Sequence, residues 1–485
     1  MSPFLIFRLR LRLGLRLGQR RWLTLILLSA GAISAPAEVI HLKSGDVIYV
    51  DSVKEGANRV EYSIGDDTYA IPKSRVQSID AGIRTRVNPV PSQAEIAAYT
   101  PETTTSGEGP LMAKIVRDGN VDRVALAGIA LQHDAKQTAA AFYVAGKLDY
   151  LAGKYSEARS DFETALANAP EDPNALNFYA ALLIRTGNGR EAVQYAERAV
   201  SVARDSPDAL AVLGYAQFAA DRPKDAILSW KQSLALRPDD SIKQVMARAE
   251  REMSAESTYS EREAGHFVLR FEGTQSSVVF RDQLLSTLEA DYVELSREFG
   301  SEPRSGIPVV LYTNQAFFDV TQEPSWVGAL NDGKLRIPLR GLDSVTPELA
   351  RVLKHELTHS FVNQLSMGRC PQWLNEGIAQ MMEPRSLVRG PNLAQLFKQQ
   401  QEIPLNALEG NFSSLSAGAA EVAYDESLAA ALYIRTHFGR SDVIRILERL
   451  GHGESSESAL RSTIHSDYRQ FQDEIGTELI HQFGR

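Results

Sequence analysis

Hydrophobic positions follow four different patterns in turn along this chain. From Glu38 to about residue 83 they alternate with polar ones in short runs: "EVIHLKSGDVIYV", "RVEYSIGDDTYAI" and "SRVQSI". That alternation predicts about five short strands, with turns at Ser44–Asp46 and Gly65–Asp67. Residues 84–137 include "PVPSQ" and "TPETTTSGEGP", which hold no period and read as linker. "LMAKIVRDGNVDRVALAGIALQ" adds a helix or a small extension of the next domain. Between 138 and 240 small and aromatic positions recur every 34 residues. Gly146, Ala180 and Gly214 keep that step, as do Ala158, Ala192 and Ala226, and Phe162, Ala196 and Trp230. Pro170, Arg204 and Pro238 follow it too. From 260 onward, "GHFVLRF", "IPVVLY" and "GKLRIPL" read as strands. "VVFRDQLLSTLEADYVELSREFG" and "TPELARVLKHELTHSFVNQLSMG" carry apolar residues at helical spacing and stop at a glycine.

The 34-residue period, with small residues where helices cross and a proline after the second helix, resembles the tetratricopeptide repeat. Each helix pair buries one face on its neighbour, so three repeats and a capping helix over 138–256 predict a short solenoid with a concave surface. That surface suits a peptide or partner protein, or serves only as a spacer. The region 38–83 resembles the SH3-like β modules of the bacterial envelope, a small all-β barrel with a structural or docking role and no catalytic cluster.

Charge changes the picture at the N-terminus. Residues 1–37 hold six arginines and no acidic residue, followed by the apolar run "WLTLILLSAGAISA" and an A-x-A pattern ending at Ala37. The run is too short to span a bilayer comfortably and suits a signal-peptide core cleaved after Ala37. An uncleaved anchor, the one route to membrane contact, or an organelle transit peptide are the alternatives. Without those arginines the net charge moves from −9 to −15, which argues against nucleic acid or anionic lipid as partners. The single cysteine, Cys370, excludes an intrachain disulfide and cysteine-based zinc sites. An exported chain without disulfides fits a bacterial periplasm or cell envelope.

The candidate chemistry lies in "VLKHELTHSF". His355 and His359 stand four apart, so both imidazoles leave one helix face, with Glu356 at its edge. Leu349, Leu353, Leu357 and Phe361 supply an opposite face to bury. Two histidines are not a site, because zinc needs a third protein ligand. Glu376, seventeen residues after His359 in "PQWLNEGIAQMME", falls in a second helical stretch that a short loop would fold back onto the first.

H-E-L-T-H followed by P-x-W-L-x-E-G-x-A-Q resembles the gluzincin metallopeptidases, specifically the bacterial peptidase MA-like group, over about residues 265–440. A tryptophan–glycine segment and strand in "YTNQAFFDVTQEPSWVGALNDGKLRIPL" belong to the likeness. The resemblance implies an α+β zincin-like domain within 260–485, ending in a helical part. It implies His355, His359 and Glu376 as ligands of Zn2+, a water in the fourth position and Glu356 as general base. It also implies Tyr424, matched to a tyrosine preceding a helix, as a donor to the oxyanion. Gln380 stands where thermolysin-like relatives carry an aspartate that accepts from a ligating histidine. "KLRIP", Lys334 to Pro338, reads as an edge strand for a peptide or as a buried one. His437 reads as locally satisfied or as a visitor to the cleft. The whole is a multidomain zinc metallopeptidase whose repeats recruit a protein substrate or partner. The alternative is a non-catalytic envelope scaffold with a structural or vestigial zinc site.

Overall fold

The computed structural model describes residues 38–43, 47–50, 52–56, 58–64, 67–81, 99–101, 108–117, 119–303, 306–321, 329–339, 341–383, 389–410, 412, 415 and 417–484. The expectations for residues 1–37 and for Trp326 lie outside them, as do most of the two predicted turns.

Among the described residues six strands come first: β1 (Glu38–Leu42), β2 (Val47–Val50), β3 (Ser52–Glu55), β4 (Arg59–Ile64), β5 (Asp67–Pro72) and β6 (Val76–Ala81). They pair antiparallel in two three-stranded sheets, β2-β1-β6 and β3-β4-β5. Ile40 and Val60, one from each sheet, are fully buried in a small core with Val53, Tyr62, Ile71, Val76 and Ile79.

Part of the stretch read as linker is ordered structure. It holds α1 (Glu108–Ile115), a hairpin of β7 (Val116–Arg117) and β8 (Asn120–Val121), and α2 (Arg123–Ala130). Ile115, Leu126 and Ile129 join the core of the repeats, so this segment caps the first helix pair.

The 34-residue period resolves into three antiparallel pairs: α3 (Ala135–Leu151) with α4 (Tyr155–Asn168), α5 (Pro173–Arg185) with α6 (Gly189–Val202), and α7 (Pro207–Ala219) with α8 (Pro223–Leu236). A seventh helix, α9 (Asp240–Ala255), closes the array. The small residues of the period are explained by the aromatic ones. A Cβ on Gly146 would meet the Phe162 ring at 2.9 Å, and one on Gly214 the Trp230 ring at 2.4 Å. In the middle pair the facing residue is Ala196, and Ala180 is accommodated there. Each glycine exists because its partner helix carries the larger ring.

Next come β9 (Ser260–Ala264), β10 (Phe267–Phe271), α10 (Val278–Phe299), β11 (Ile307–Tyr312), α11 (Asn314–Thr321), β12 (Leu330–Asn331) and β13 (Leu335–Pro338). The mixed sheet runs β12-β13-β11-β10-β9, with β10, β11 and β13 parallel and both outer strands antiparallel. The edge-strand reading of "KLRIP" is therefore corrected. The chain turns at Gly333 (φ 93°) and lays Leu330 and Asn331 against Arg336 and Leu335, so β13 is interior and buried. A two-residue strand carries no periodicity, and the pattern could not announce it.

Helices complete the region: α12 (Pro347–Ser366), α13 (Gln372–Met382), α14 (Gly390–Gln399), α15 (Ala417–His437), α16 (Arg440–Gly451), α17 (Ser456–Ile464) and α18 (Tyr468–Phe483). They share one apolar core with the sheet and α10. The repeats touch this region at the α12–α13 loop, where Arg369 lies 5.8 Å over the Tyr155 ring, and along α9. No helix among the described residues is long and apolar enough to cross a membrane.

Candidate metal centre

Local sequence sets α12 firmly. Thr346 Oγ1 caps it by accepting from the Leu349 N–H at 3.1 Å, and Pro347 occupies its first turn. The helix stops at Ser366, two residues short of the glycine expected to end it, and left-handed Met367 and Gly368 (φ 50° and 72°) turn the chain. Leu349, Leu353, Leu357 and Phe361 are buried as their spacing predicts, at 2% exposure or less. The motif face is buried as well: His355 is 1% exposed, and Glu356 and His359 are 0%.

Helix α13 returns along α12 and delivers Glu376, also fully buried. One ligand atom from each of His355, His359 and Glu376 falls within 4.8 Å of the others. His355 Nε2 stands 3.5 Å from Glu376 Oε2, close to the ~3.3 Å between two vertices of a tetrahedron of zinc–ligand radius ~2.05 Å. Gly377 lets this happen. A Cβ there would lie 2.1 Å from the Ser427 carbonyl oxygen, so α15 can press directly on the helix that carries Glu376.

The outward-facing atoms are held and the inward-facing atoms are not. His355 Nδ1 pairs with Glu383 Oε1 at 2.6 Å, and Arg351 anchors that carboxylate at 2.5 Å. His359 Nδ1 pairs with Asn375 Oδ1 at 2.8 Å. Gln372 Nε2 donates to Glu376 Oε1 at 2.7 Å. By contrast, His355 Nε2, His359 Nε2, Glu376 Oε2 and both Glu356 carboxylate oxygens are buried with no hydrogen-bond partner. Buried polar atoms ordinarily find one. Two imidazole nitrogens and a carboxylate oxygen turned to one point are a donor set that fits a zinc ion. Asn331, on β12, fixes the helix beside the sheet edge by donating to the Glu356 carbonyl at 2.6 Å and the Ser360 hydroxyl at 2.8 Å.

Electrostatics follow from this burial. Burial drives the Glu356 carboxyl up to about 8, with His355 opposing and Glu376 adding repulsion. Burial raises Glu376 too, against the pull of His355. Burial, reinforced by neighbouring His355, lowers His359 to about 3. Burial also disfavours charged His355, but the Glu376 carboxylate 3.5 Å away and the bond to Glu383 overcome it and lift its value to about 10.

Some expectations change at this point. Gln380 is not the acceptor for a ligand histidine. Its Nε2 donates to the carbonyls of Tyr424 and Glu376, at 2.9 and 3.4 Å. The acceptor at His355 is Glu383, so the negative charge that Gln380 lacks is supplied three residues later. Tyr424 does not precede a helix but lies within α15, its ring edge-on to Phe412 at 5.3 Å. His437 ends that helix, 3.1 Å from Glu478 and stacked on Tyr433 at 4.2 Å. Sequence reasoning missed Glu383, Asn375, Arg351 and Asn331. Only Asn375, adjacent to Glu376, left a signal.

Comparisons with known proteins find similarity in two stretches of the chain. Residues 287–479 match the Peptidase MA superfamily, and residues 150–211 match the tetratricopeptide repeat. The NMR structure of the first TPR domain of the human RPAP3 protein is similar to part of the chain. It is 20% identical, with 24% of this chain and 92% of that one covered and a TM-score of 0.23. A search of curated proteins found no match. The chain thus carries a stretch similar to tetratricopeptide repeats followed by one similar to the Peptidase MA superfamily.

Proposed function

We propose that the chain is a zinc-dependent peptidase of the gluzincin type whose repeats engage a protein substrate or partner. One observation carries this reading: three unpartnered ligand atoms, on His355, His359 and Glu376, turn to a common point beside an unpartnered Glu356 carboxylate. His355, His359 and Glu376 would hold Zn2+. Bound there, the ion supplies a Lewis acid that activates water and polarises the scissile carbonyl.

The chain's own residues then divide the work. Glu356, whose carboxylate oxygens are both unpartnered and turned toward the ligand atoms, can take a proton from the attacking water and pass it to the leaving amine. Glu383 and Asn375 fix the two rings through Nδ1, which leaves Nε2 for the ligand. Tyr424 is the proposed donor to the developing substrate oxyanion. Its helix lies against that of Glu376, and Gln380 ties the two together.

Residues 1–37 are proposed to export the protein to a bacterial periplasm, and the two small sheets to act there as an SH3-like docking module. A mature N-terminus at Glu38 in periplasmic extracts tests the first point. An N-terminus at Met1 contradicts it.

The test of the enzymatic reading is hydrolysis of a quenched peptide library by the zinc-loaded chain. Glu356→Gln is expected to lower turnover by ~10²–10⁴-fold with zinc retained. Equal cleavage by the native chain and the variant, or no stoichiometric zinc, would sink it. In that case the repeats and a structural or vestigial zinc site would define a scaffold instead.

A further inference from the structure

The β12–β13 hairpin stands between the repeats and the helix that carries the motif, and its side chains divide between the two. Leu330, Asp332, Lys334 and Arg336 turn to the repeats. Leu330 packs with Val310, Tyr312 and Phe317 against Ala255 and Tyr259. Asp332 pairs with Arg248 of α9, Arg336 with Glu252 of α9, and Lys334 with Glu252 and with Asp221 between α7 and α8. Asn331, Leu335 and Ile337 turn the other way. Leu335 and Ile337 share a core with Leu353 and Leu357 of α12. Asn331 Nδ2 donates to the Glu356 carbonyl at 2.6 Å and to the Ser360 hydroxyl at 2.8 Å. The tip is braced internally. Asn331 Oδ1 accepts from the Gly333 N–H at 3.2 Å, and Arg336 Nε donates to both Asp332 oxygens at 3.0 and 2.9 Å. The repeats also hold the end of α12 directly. Met367 packs on their core, and a Cβ on Gly153 would stand 1.4 Å from the Arg369 guanidinium.

We propose that this hairpin tip is a positioning element through which the repeats set the turn of α12 that carries Glu356 and His359. Asn331 is the positioning residue, and Asp332 beside it makes the place of Asn331 depend on Arg248 of α9. Three observations carry the inference. Adjacent residues grip two different bodies, so a shift of α9 that draws on Asp332 reaches Asn331 through one peptide unit. Both grips are buried, with Asn331 2% exposed, Asp332 4% and Arg248 9%. A buried charge or amide follows its partner sooner than it leaves it unpaired. The acceptors of Asn331 lie on residues 356 and 360, one turn of α12, and that turn contains ligand candidate His359. The repeats are thus more than a recruiting surface, because the order of the metal centre depends on them. By linkage, a metal ion bound there steadies the junction by the same factor. This last consequence rests on the reading of His355, His359 and Glu376 as ligands, whereas the coupling itself does not.

Hydrogen–deuterium exchange, read by mass spectrometry on the metal-free full chain, tests the coupling without any ion. Arg248→Ala cuts the repeat side and Asn331→Ala the α12 side. Each should speed exchange of the amides of residues 357–362 by about tenfold and leave α17 unchanged. The double variant should exchange no faster than Asn331→Ala alone, because both changes cut one linkage. Arg248→Lys keeps a cation for Asp332 and should restore the native rate. Lys231→Ala removes a surface pair with Glu250 of the same α9, at 3.2 Å, and should change nothing. If Arg248→Ala does not fold, Lys334→Met cuts the same face. Titration with Co2+, read by its visible absorption, should need about tenfold more metal for half-saturation in both cut variants. Native exchange across α12, equal acceleration in α17 or by Lys231→Ala, an additive double variant, no rescue by lysine, or unchanged half-saturation would overturn the proposal. A native chain that takes up no Co2+ contradicts the metal reading alone and leaves the exchange result to decide the coupling.

Discussion

Two buried polar clusters lie on opposite sides of the β12–β13 hairpin, and they differ in how their atoms are satisfied. Toward α9 of the repeats, Arg336 donates from all three nitrogens, to Asp332, Tyr312 and Glu252. Lys334 reaches Glu252 at 3.0 Å and Asp221 at 2.8 Å, and Arg248 pairs with Asp332. Burial alone would raise the Glu252 carboxyl, but Arg336, Lys334 and Arg248 hold it well below the usual carboxylate range. Toward α12, the equally buried Glu356 and Glu376 face only His355, which opposes their burial without overcoming it, and both are pushed up. Burial does not distinguish structure from function here. Charges paired with each other fasten the repeats to the sheet, and polar atoms left facing one point form the proposed ligand site.

The comparison breaks most sharply if the paired cluster is cut. Glu252→Ala takes one of two buried carboxylates from Arg336 and one of two from Lys334, and should cost ~3–5 kcal/mol of stability in urea unfolding. His355→Ala should leave the metal-free chain folded while abolishing zinc uptake. If Glu252→Ala costs nothing measurable, the junction does not fasten the two regions. Next in size is Gly377→Ala. Its Cβ would collide with the Ser427 carbonyl, so ~1–3 kcal/mol of destabilisation is expected, together with weaker zinc binding. Native-like melting and affinity would show that α15 is free to move.

How far the sequence foretold these clusters follows from their geometry. His355, His359 and Glu376 lie on two helices joined by a short loop, so helical spacing and a count of seventeen residues found them. The 34-residue period was equally open, because each glycine answers an aromatic ring in the same helix pair. The junction was not legible. Glu252 and Arg336 are 84 residues apart, and no local pattern couples a capping helix to an interior strand. Glu383 was hidden for a related reason, since the acceptor behind a ligating histidine has no fixed spacing. Gln380 therefore held its place in the sequence reading.

A smaller effect tests that supporting acceptor. Glu383→Gln keeps an acceptor for His355 Nδ1 but removes the charge, so zinc affinity should fall ~10–100-fold with little change in melting. Unchanged affinity would mean that the Glu383–His355 pair positions nothing.

The smallest effect is a pH trend in the metal-free chain. His355 is lifted to about 10 and Glu356 to about 8. Both folded values lie above the unfolded ones, so their protonated forms stabilise the fold at low pH. That contribution fades from about 4.5 to 8 for Glu356 and from about 6.5 to 10 for His355. His359, lowered to about 3, works oppositely and costs stability as pH falls below about 6.5. Melting of the zinc-free chain should therefore drop between pH 6.5 and 9, and drop less with zinc bound. A rise over that interval would contradict the assignment.

The central claim is that the unpaired cluster is a ligand site, and calorimetric titration of the metal-free chain with Zn2+ tests it most directly. The account predicts one zinc per native chain, with proton release at pH 7 as His355 gives up its proton to bind. His359→Ala should bind none at the same concentration while keeping its fold. Native chain that takes up no zinc, or a His359→Ala variant that binds as tightly as the native chain, would contradict it.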